Sequence, residues 1–114
     1  MKAFIGVMKA LSDPNRVKII MMLQQKVMCV CELREVLQIA QPTVSKHLKI
    51  LENAGLVTSE KDGIWVNYQL ENGSTNLYSS TILDNMKSWL EQDEAFTEIK
   101  EKFSFIPRDT ICSR

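Results

Sequence analysis

Apolar residues recur at helical spacing through the first 25 residues and predict two helices. The first is short and amphipathic, running from residue 2 to 11, and its apolar positions are Phe4, Val7, Met8 and Leu11. Asp13 and Pro14 then favour a new helix start, because Asp accepts hydrogen bonds from free backbone amides and Pro suits the first helical position. Residues 15–25 are apolar on nearly every side, so we expect a second helix buried by several neighbours.

A third helix is predicted from the next apolar repeat, and its start is weakly specified. Three residues share its apolar face: Val30, Leu33 and Leu37. We expect this helix to begin near Cys31, since neither Met28 nor Cys29 is a good N-cap residue. Residues 26–28 could add one short strand before it.

A fourth helix follows the polar turn at residues 38–41, with Pro42 at its first position. At about 100° per residue, one side of this helix collects apolar residues. They are Val44, Leu48 and Leu51. The opposite side collects Ser45, Lys46, Lys49 and Asn53. Gly55 is well placed to end the helix in a left-handed conformation. One face can therefore anchor to a core while the other stays exposed.

Alternation of period two replaces helical spacing after residue 56 and predicts a β-hairpin. Two strands, 57–60 and 64–70, flank Lys61, Asp62 and Gly63, where Asp-Gly is a strong hairpin signal. The second strand places alternate residues on one apolar face: Val66, Tyr68 and Leu70. Helix, turn, helix and hairpin is the order of a winged helix-turn-helix. The fold class we predict is mainly α with a small β-hairpin.

The remaining chain predicts one long helix and a shorter piece. A broad apolar stripe marks residues 75–94, with members at Ile82, Leu83, Met86, Trp89 and Leu90. Further apolar residues indicate another helical piece before Pro107: Phe96, Ile99 and Phe103. Residues 108–114 read as a loose tail. We expect residues 1–94 to form the winged helix-turn-helix domain, and 95–114 a C-terminal helical extension and tail.

The charge is balanced overall and uneven along the chain. The formal net charge is zero, which argues against indiscriminate coating of nucleic acid. Residues 1–28 carry five basic groups against one acid, whereas residues 71–114 carry five against eight. No stretch resembles a signal peptide or a membrane span, so we expect a cytoplasmic protein. A chain of this length predicts one domain with a modest core, which oligomerisation would help to stabilise.

The polar face of the fourth helix is the candidate DNA reader. A reader needs short polar and basic side chains that reach base edges in the major groove. The candidates are Gln41, Thr43, Ser45, Lys46 and Lys49. His47 projects nearer the buried edge and suits a phosphate or a neighbouring helix better than a base. The hairpin tip, Lys61 and Gly63, could follow the DNA backbone or minor groove. A plain solvated helix face is the alternative.

Cys29 and Cys31 are the candidate metal ligands. Three cysteines, an odd number, do not suggest a disulfide framework. In a regular helix these two side chains would point about 200° apart, so they converge only if the segment is extended or the first turn distorts. We therefore expect a bound soft ion to reshape the start of the third helix. The alternative is that both are small buried residues with no ligand.

With those residues placed, the chain resembles the ArsR/SmtB family of metal-sensing bacterial repressors, close to its arsenite-responsive branch. Four segments carry the resemblance: LSDPNRVKII, CVCEL, QPTVSKHLKILENAGLV and KDGIWVNYQL. With the flanking helices they cover roughly residues 1–94. The resemblance implies a homodimer, paired through its first and last long helices, that binds palindromic operator DNA. It also implies release of the DNA when metal binds.

The resemblance leaves the ligand set incomplete. Arsenite-sensing relatives commonly carry a third cysteine one turn after the pair, and here that residue is Arg34. Trivalent arsenic, As(III), and antimony, Sb(III), prefer three sulfurs. The third could come from Cys112 of either subunit's tail, from a small exogenous thiol, or not at all. A zinc site on the last helix is disfavoured, since His47 is the only histidine.

The sequence is also compatible with other classes of function. A thiol redox regulator and a constitutive winged-helix DNA-binding protein are the competing predictions. An enzyme is disfavoured, because no paired carboxylates, phosphate-binding glycine loop or nucleophile and base stand out. No catalytic cofactor is expected.

Overall fold

A computed structural model describes residues 1–71 and 77–103 of the chain, apart from the side chain of Phe103. In chain order its elements are α1 Lys2–Ala10, α2 Pro14–Leu23, β1 Met28–Cys29, α3 Val30–Leu37, α4 Gln41–Asn53, β2 Val57–Asp62, β3 Trp65–Leu70, α5 Leu77–Trp89 and α6 Glu94–Phe103. The predicted winged helix-turn-helix order is confirmed. The predicted helix start near residue 75 and the tail at 108–114 lie outside the described residues.

Helix α2 is the centre of the core, as its all-round apolar sequence predicts. Its second half is buried, from Ile19 to Leu23, and it packs against α3, α4 and α6. Asp13 caps the helix, accepting hydrogen bonds from the backbone amides of Asn15 at 2.8 Å and Arg16 at 3.2 Å. The predicted cap is confirmed, and it sets where α2 begins after α1.

The sheet has three strands rather than two. Its order is β1-β3-β2, and both pairings are antiparallel. Met28 lies opposite Tyr68 and Cys29 opposite Asn67, so the short strand considered before helix three is present, shifted toward Cys29. Because β3 is the central strand, β1 connects the start of α3 directly to the hairpin.

The hairpin turn is Gly63-Ile64, one residue later than the Asp-Gly signal suggests. Asp62 is the last residue of β2 and pairs with Trp65. Gly63 has φ 66°, and Ile64 does not adopt positive φ, which is the pattern of a type II′ turn with glycine at its first central position. Gly55 has φ 80° just after α4, which confirms the predicted left-handed helix end.

Two C-terminal helices complete the core, α5 beside α1 and α6 beside α2 and α3. Leu83 and Met86 of α5 are buried, and so is Ile99 of α6, which packs against α2 and α3. Lys102 ties α6 further to α3 by donating to the backbone oxygen of Val36 at 3.2 Å. Trp89, expected on the apolar stripe, is 64% exposed. Among the helices of the described residues, none is long and apolar enough to cross a membrane.

Candidate nucleic-acid interface and thiol site

Helix α4 separates an anchoring face from an exposed one. Val44, Leu48 and Leu51 are fully buried, as predicted. The five residues predicted to face DNA are all exposed: Gln41, Thr43, Ser45, Lys46 and Lys49. Pro42 lies at the second helical position rather than the first, since the helix begins at Gln41. The exposed face is polar and basic, as a major-groove reader requires.

His47 contacts the junction of α1 and α2. Its Nδ1 atom lies 3.1 Å from the Nη1 of Arg16, and its Nε2 lies 4.0 Å from an Asp13 carboxylate oxygen. Arg16 also donates through Nε to the backbone oxygen of Ala10 at 2.6 Å. His47 therefore holds α4 against a neighbouring helix, one of the two positions expected of it. Arg16 is not among the predicted site residues, because its partner is 31 residues away in the sequence.

The electrostatics of this junction lower the pKa of Asp13. Desolvation acts to raise it and is outweighed by hydrogen bonds from the backbone amides of Arg16 and Asn15, together with the charges of His47 and Arg16. The Asp13 carboxylate is thus held in its charged form at the helix start. It serves the cap and the α4 contact at once.

The hairpin tip presents one basic and several apolar side chains. Lys61 and Gly63 are exposed, and Asp62 lies in the last pair of the strand ladder. Ile64 is 79% exposed and Val66 is 37% exposed. Of the predicted apolar face of β3, only Tyr68 and Leu70 pack against the core cluster. The strand therefore leaves its tip-proximal apolar residues outside the core.

The sulfurs of Cys29 and Cys31 lie 3.4 Å apart. This is possible because Cys29 is extended, with φ −95° and ψ 173°, and serves as the N-cap residue, whereas Cys31 lies inside α3. The pair thus straddles the end of a strand and the start of a helix. Cys29 is extended and lies outside the helix, which is one of the two arrangements in which the sulfurs were expected to converge, and the expected reshaping of helix three by a bound ion stays a prediction.

Glu32 fixes the backbone of the thiol segment. Its carboxylate is only 2% exposed, accepts a hydrogen bond from the backbone amide of Cys29 at 2.9 Å, and lies 3.4 Å from the Nζ of Lys26. This is the reach-back half of a capping box. Glu32 is not among the predicted site residues, although the spacing from Cys29 to Glu32 is that of a capping box with Cys in place of Ser.

An open cleft of about 400 Å³ adjoins the two sulfurs. Three elements form its walls: the start of α3, the first residue of α4 and the hairpin tip. The lining residues are Cys29, Val30, Cys31, Gln41, Ile64, Trp65 and Val66. The thiol pair therefore lies against both parts of the molecule predicted to contact DNA.

Within the described residues, the candidate site consists of the two neighbouring cysteine sulfurs. Within residues 1–71 and 77–103, no cluster of three or more His, Cys, Asp or Glu side chains could hold a metal ion. Arg34, where a third cysteine would be expected, is half-buried. Cys112 lies outside the described residues.

A winged helix-turn-helix with an exposed basic reader helix is the fold of a DNA-binding transcription regulator. The model of the bacterial regulatory protein arsR family matches residues 13–59, which run from the Asp13 cap into β2. The arsenic resistance transcriptional regulator ArsR1 of Pseudomonas putida is 31% identical over 91 residues, which cover 76% of this chain and 71% of that protein. The chain belongs to the ArsR family of bacterial regulatory proteins.

Two further proteins are similar to the chain, one in sequence and one in structure. The HTH-type transcriptional repressor SmtB of Mycobacterium tuberculosis is 46% identical over 63 residues, 55% of this chain and 47% of that protein. The match thus spans about half the length of the mycobacterial relative. The structure of HlyU from Vibrio cholerae has a TM-score of 0.68 and 25% identity, covering 80% of this chain and 95% of that one. ArsR1 and SmtB are both named as regulators of transcription, in agreement with the expectation of a non-enzyme.

Proposed function

We propose that the chain is a cytoplasmic, homodimeric repressor that binds operator DNA and releases it when As(III) or Sb(III) binds the thiolates of Cys29 and Cys31. One observation carries the proposal: the two sulfurs are 3.4 Å apart and share a cleft with the first residue of the reader helix and the hairpin tip.

The DNA half of the proposal rests on α4 and the hairpin. Lys46 and Lys49 lie on the exposed face of a helix whose other face is fully buried, and Lys61 is exposed near the hairpin tip. Phosphate contacts by such lysines position a protein on the duplex, and the shorter polar side chains read base edges. With zero net charge, affinity must come from two such local patches brought together by dimer symmetry.

The dimer half rests on an apolar surface of α1 and α5. Its exposed members are Phe4, Ile5, Leu77, Tyr78 and Trp89. Phe4 and Tyr78 stack edge to face with ring centroids 5.5 Å apart, so the two helices present one continuous surface. Exposed apolar patches of this kind mark association sites, and these are the first and last long helices of the predicted domain.

The choice of inducer rests on the distance between the sulfurs. At a metal–sulfur distance of about 2.3 Å, atoms 3.4 Å apart subtend about 95° at a shared ion, less than the ~109° of tetrahedral zinc. The narrower angle suits a three-coordinate pyramidal ion with a lone pair. The arsenic resistance named for the Pseudomonas relative supports the same choice. For inorganic arsenite, Cys112 or an exogenous thiol completes the three sulfurs.

The route from ligand to DNA release is short. Cys29 pairs with Asn67 in the central strand, and Gln41 begins the reader helix at the edge of the thiol cleft. An ion bound by both sulfurs therefore bears on the hairpin and on α4 without passing through the core. The coupling free energy is the difference between the free energies with which the ion binds the free protein and the DNA-bound protein.

A titration of the reduced full-length protein on its own promoter DNA tests the proposal. Arsenite, antimonite, cadmium, zinc and peroxide are added separately, and the fraction of DNA released is measured. Release by arsenite or antimonite alone, lost in Cys29→Ser and in Cys31→Ser, supports the proposal. Release by peroxide alone would favour the redox regulator. If none of the five reagents releases the DNA, the sensor proposal is wrong and the chain is a constitutive DNA-binding protein.

A further inference from the structure

The geometry points to His47 as a positioning residue for the reader helix that works only while its imidazole is neutral, so that acidification weakens binding to the operator. This inference rests on the DNA half of the proposed function, because it concerns the helix proposed to read DNA. It does not depend on the cysteines or on an inducer.

The first argument is the place of His47 in the fold. It lies in the middle of α4, close to Lys46 and Lys49 of the exposed face, yet its own side chain is only 12% exposed. Helix α4 packs against α1 and α2, and His47 contacts the junction where those two helices meet. A change in this contact therefore acts on the position of the reader helix.

The second argument is the protonation state that the contact requires. A guanidinium has N–H donors and no acceptor, so the Nδ1 atom of His47, 3.1 Å from the Nη1 of Arg16, must accept the hydrogen bond. A ring nitrogen accepts only when it carries no proton, and the one ring proton of the neutral form is then on Nε2. The observed contact is thus that of a neutral histidine.

The third argument is that Arg16 is anchored. Its Nε donates to the backbone oxygen of Ala10 at 2.6 Å, and its Nη2 donates to that of Lys9 at 3.4 Å. Its backbone amide donates to the Asp13 carboxylate at 3.2 Å. Because the guanidinium is held at the end of α1, the histidine ring must move when its charge changes.

Protonation would turn the contact with Arg16 from attraction to repulsion. A proton on Nδ1 places two donors and two positive charges opposite each other at 3.1 Å. On the other side of the ring, a carboxylate oxygen of Asp13 lies 4.0 Å from Nε2, beyond hydrogen-bonding distance, and attracts an imidazolium. A charged His47 would therefore leave Arg16 for Asp13, and α4 would shift relative to α2.

The charges around the ring favour this exchange. The pKa of Asp13 is lowered, so its carboxylate stays negative throughout the range in which a histidine gains its proton. From α1, the exposed Lys9 joins the junction through its backbone oxygen. On the other elements packed against α4, Glu32 of α3 is buried in its own ion pair, and the charged residues of β2, 60–62, are exposed along the hairpin.

The test measures the affinity of the untagged, reduced full-length chain for its promoter DNA and for an unrelated duplex, from about pH 8 to about pH 5.5. His47 is the only histidine of the chain, so no other imidazole titrates in this window. Affinity for the promoter should fall about tenfold, the equivalent of one lost hydrogen bond to a charged group. Affinity for unrelated DNA should not fall, because added positive charge favours phosphate contacts. Circular dichroism at each pH checks that the chain is folded.

Three variants assign the effect to this contact. His47→Gln offers Arg16 a neutral side-chain oxygen at every pH, so its promoter affinity should be the same across the window. It should also bind more tightly than His47→Ala, which offers no acceptor. Arg16→Met keeps an apolar stem and removes the guanidinium, so protonation of His47 meets no positive charge and the fall should be smaller than in the wild type.

The outcomes distinguish this inference from the proposed function. Promoter affinity that does not change with pH, that falls no more than affinity for unrelated DNA, or that falls equally in His47→Gln overturns the inference and leaves the repressor proposal intact. If the chain binds its promoter no more tightly than unrelated DNA at any pH, the DNA half of the proposed function itself is wrong.

Discussion

The carboxylate of Glu32 accepts a hydrogen bond from the backbone amide of Cys29 at 2.9 Å, deep in the protein. Cys29 in turn pairs with Asn67 on the central strand. One residue thus belongs to the helix cap, the sheet and the thiol pair. A change at Glu32 should therefore reach the thiol pair without altering a sulfur.

Replacing Glu32 separates hydrogen bonding from charge. Glu32→Ala should lower the free energy of unfolding by about 1–3 kcal/mol, because it leaves a buried backbone amide without its acceptor. Glu32→Gln keeps a hydrogen-bond acceptor and should lower the free energy of unfolding less. The ion pair that it removes contributes little, because its partner Lys26 is 51% exposed. Urea denaturation measures both. Equal losses would show that the charge, not the cap, stabilises the segment.

The exposed lysines of α4 should govern the salt dependence of operator binding. Lys46→Ala and Lys49→Ala should each weaken binding to specific and unrelated DNA alike. Each should also reduce the slope of log affinity against log salt by about one for every lysine–phosphate pair that the substitution removes. Lys87→Ala, an exposed lysine on α5, is the matched control. A slope that does not change would identify these lysines as a solvated face.

Asp13 should make stability depend on pH at the acid end. Its pKa is lowered in the folded protein from the ordinary 3.8, so the charged form contributes stability that is present above that value and is lost as pH falls through the lower folded pKa. Asp13→Asn retains a good N-cap side chain without the charge. The wild type should be the more stable above about pH 4, and the gap should close below it. Thermal melts across that range measure the gap, and a constant gap would refute the assignment.

The apolar surface of α1 and α5 should hold the dimer together. Trp89→Lys puts a charge on its most exposed ring and should shift the protein toward monomer, which sedimentation equilibrium would detect. Ser88→Lys introduces the same charge at the neighbouring exposed position of α5 and should leave the dimer intact. Monomers in both variants would mean that charge on α5, rather than loss of the ring, breaks the dimer.

Local sequence signals predicted most of the fold. The Asp13 cap, the buried face of α4 and the left-handed turn at Gly55 each depend on residues within a few positions of one another. The start of α3 was placed one residue late, because β1 is specified by Asn67 and Tyr68, far along the chain. A strand of two residues is too short to show an alternating pattern, so its pairing with a distant strand cannot be read from the local sequence.

The candidate site was predictable in its residue types and not in its geometry. The exposed face of α4 followed from helical periodicity, and the cysteine pair from its spacing. The closeness of the two sulfurs depends on which residue begins the helix, and helix boundaries are weakly encoded where caps are unusual. The cleft joins residues 29–31 to residues 64–66, a contact that only the folded sheet creates.

Gln41 lines the thiol cleft and also begins the helix proposed to read DNA. In the proposed mechanism ligand and operator would share this side chain, and linkage would then require that each weaken the binding of the other by the same factor. The concentration of inducer needed for release should then rise with the affinity of the particular operator. Promoters with different operators would then be released by one regulator at different inducer concentrations. Their genes would be expressed in sequence as the inducer rises, without a second sensor.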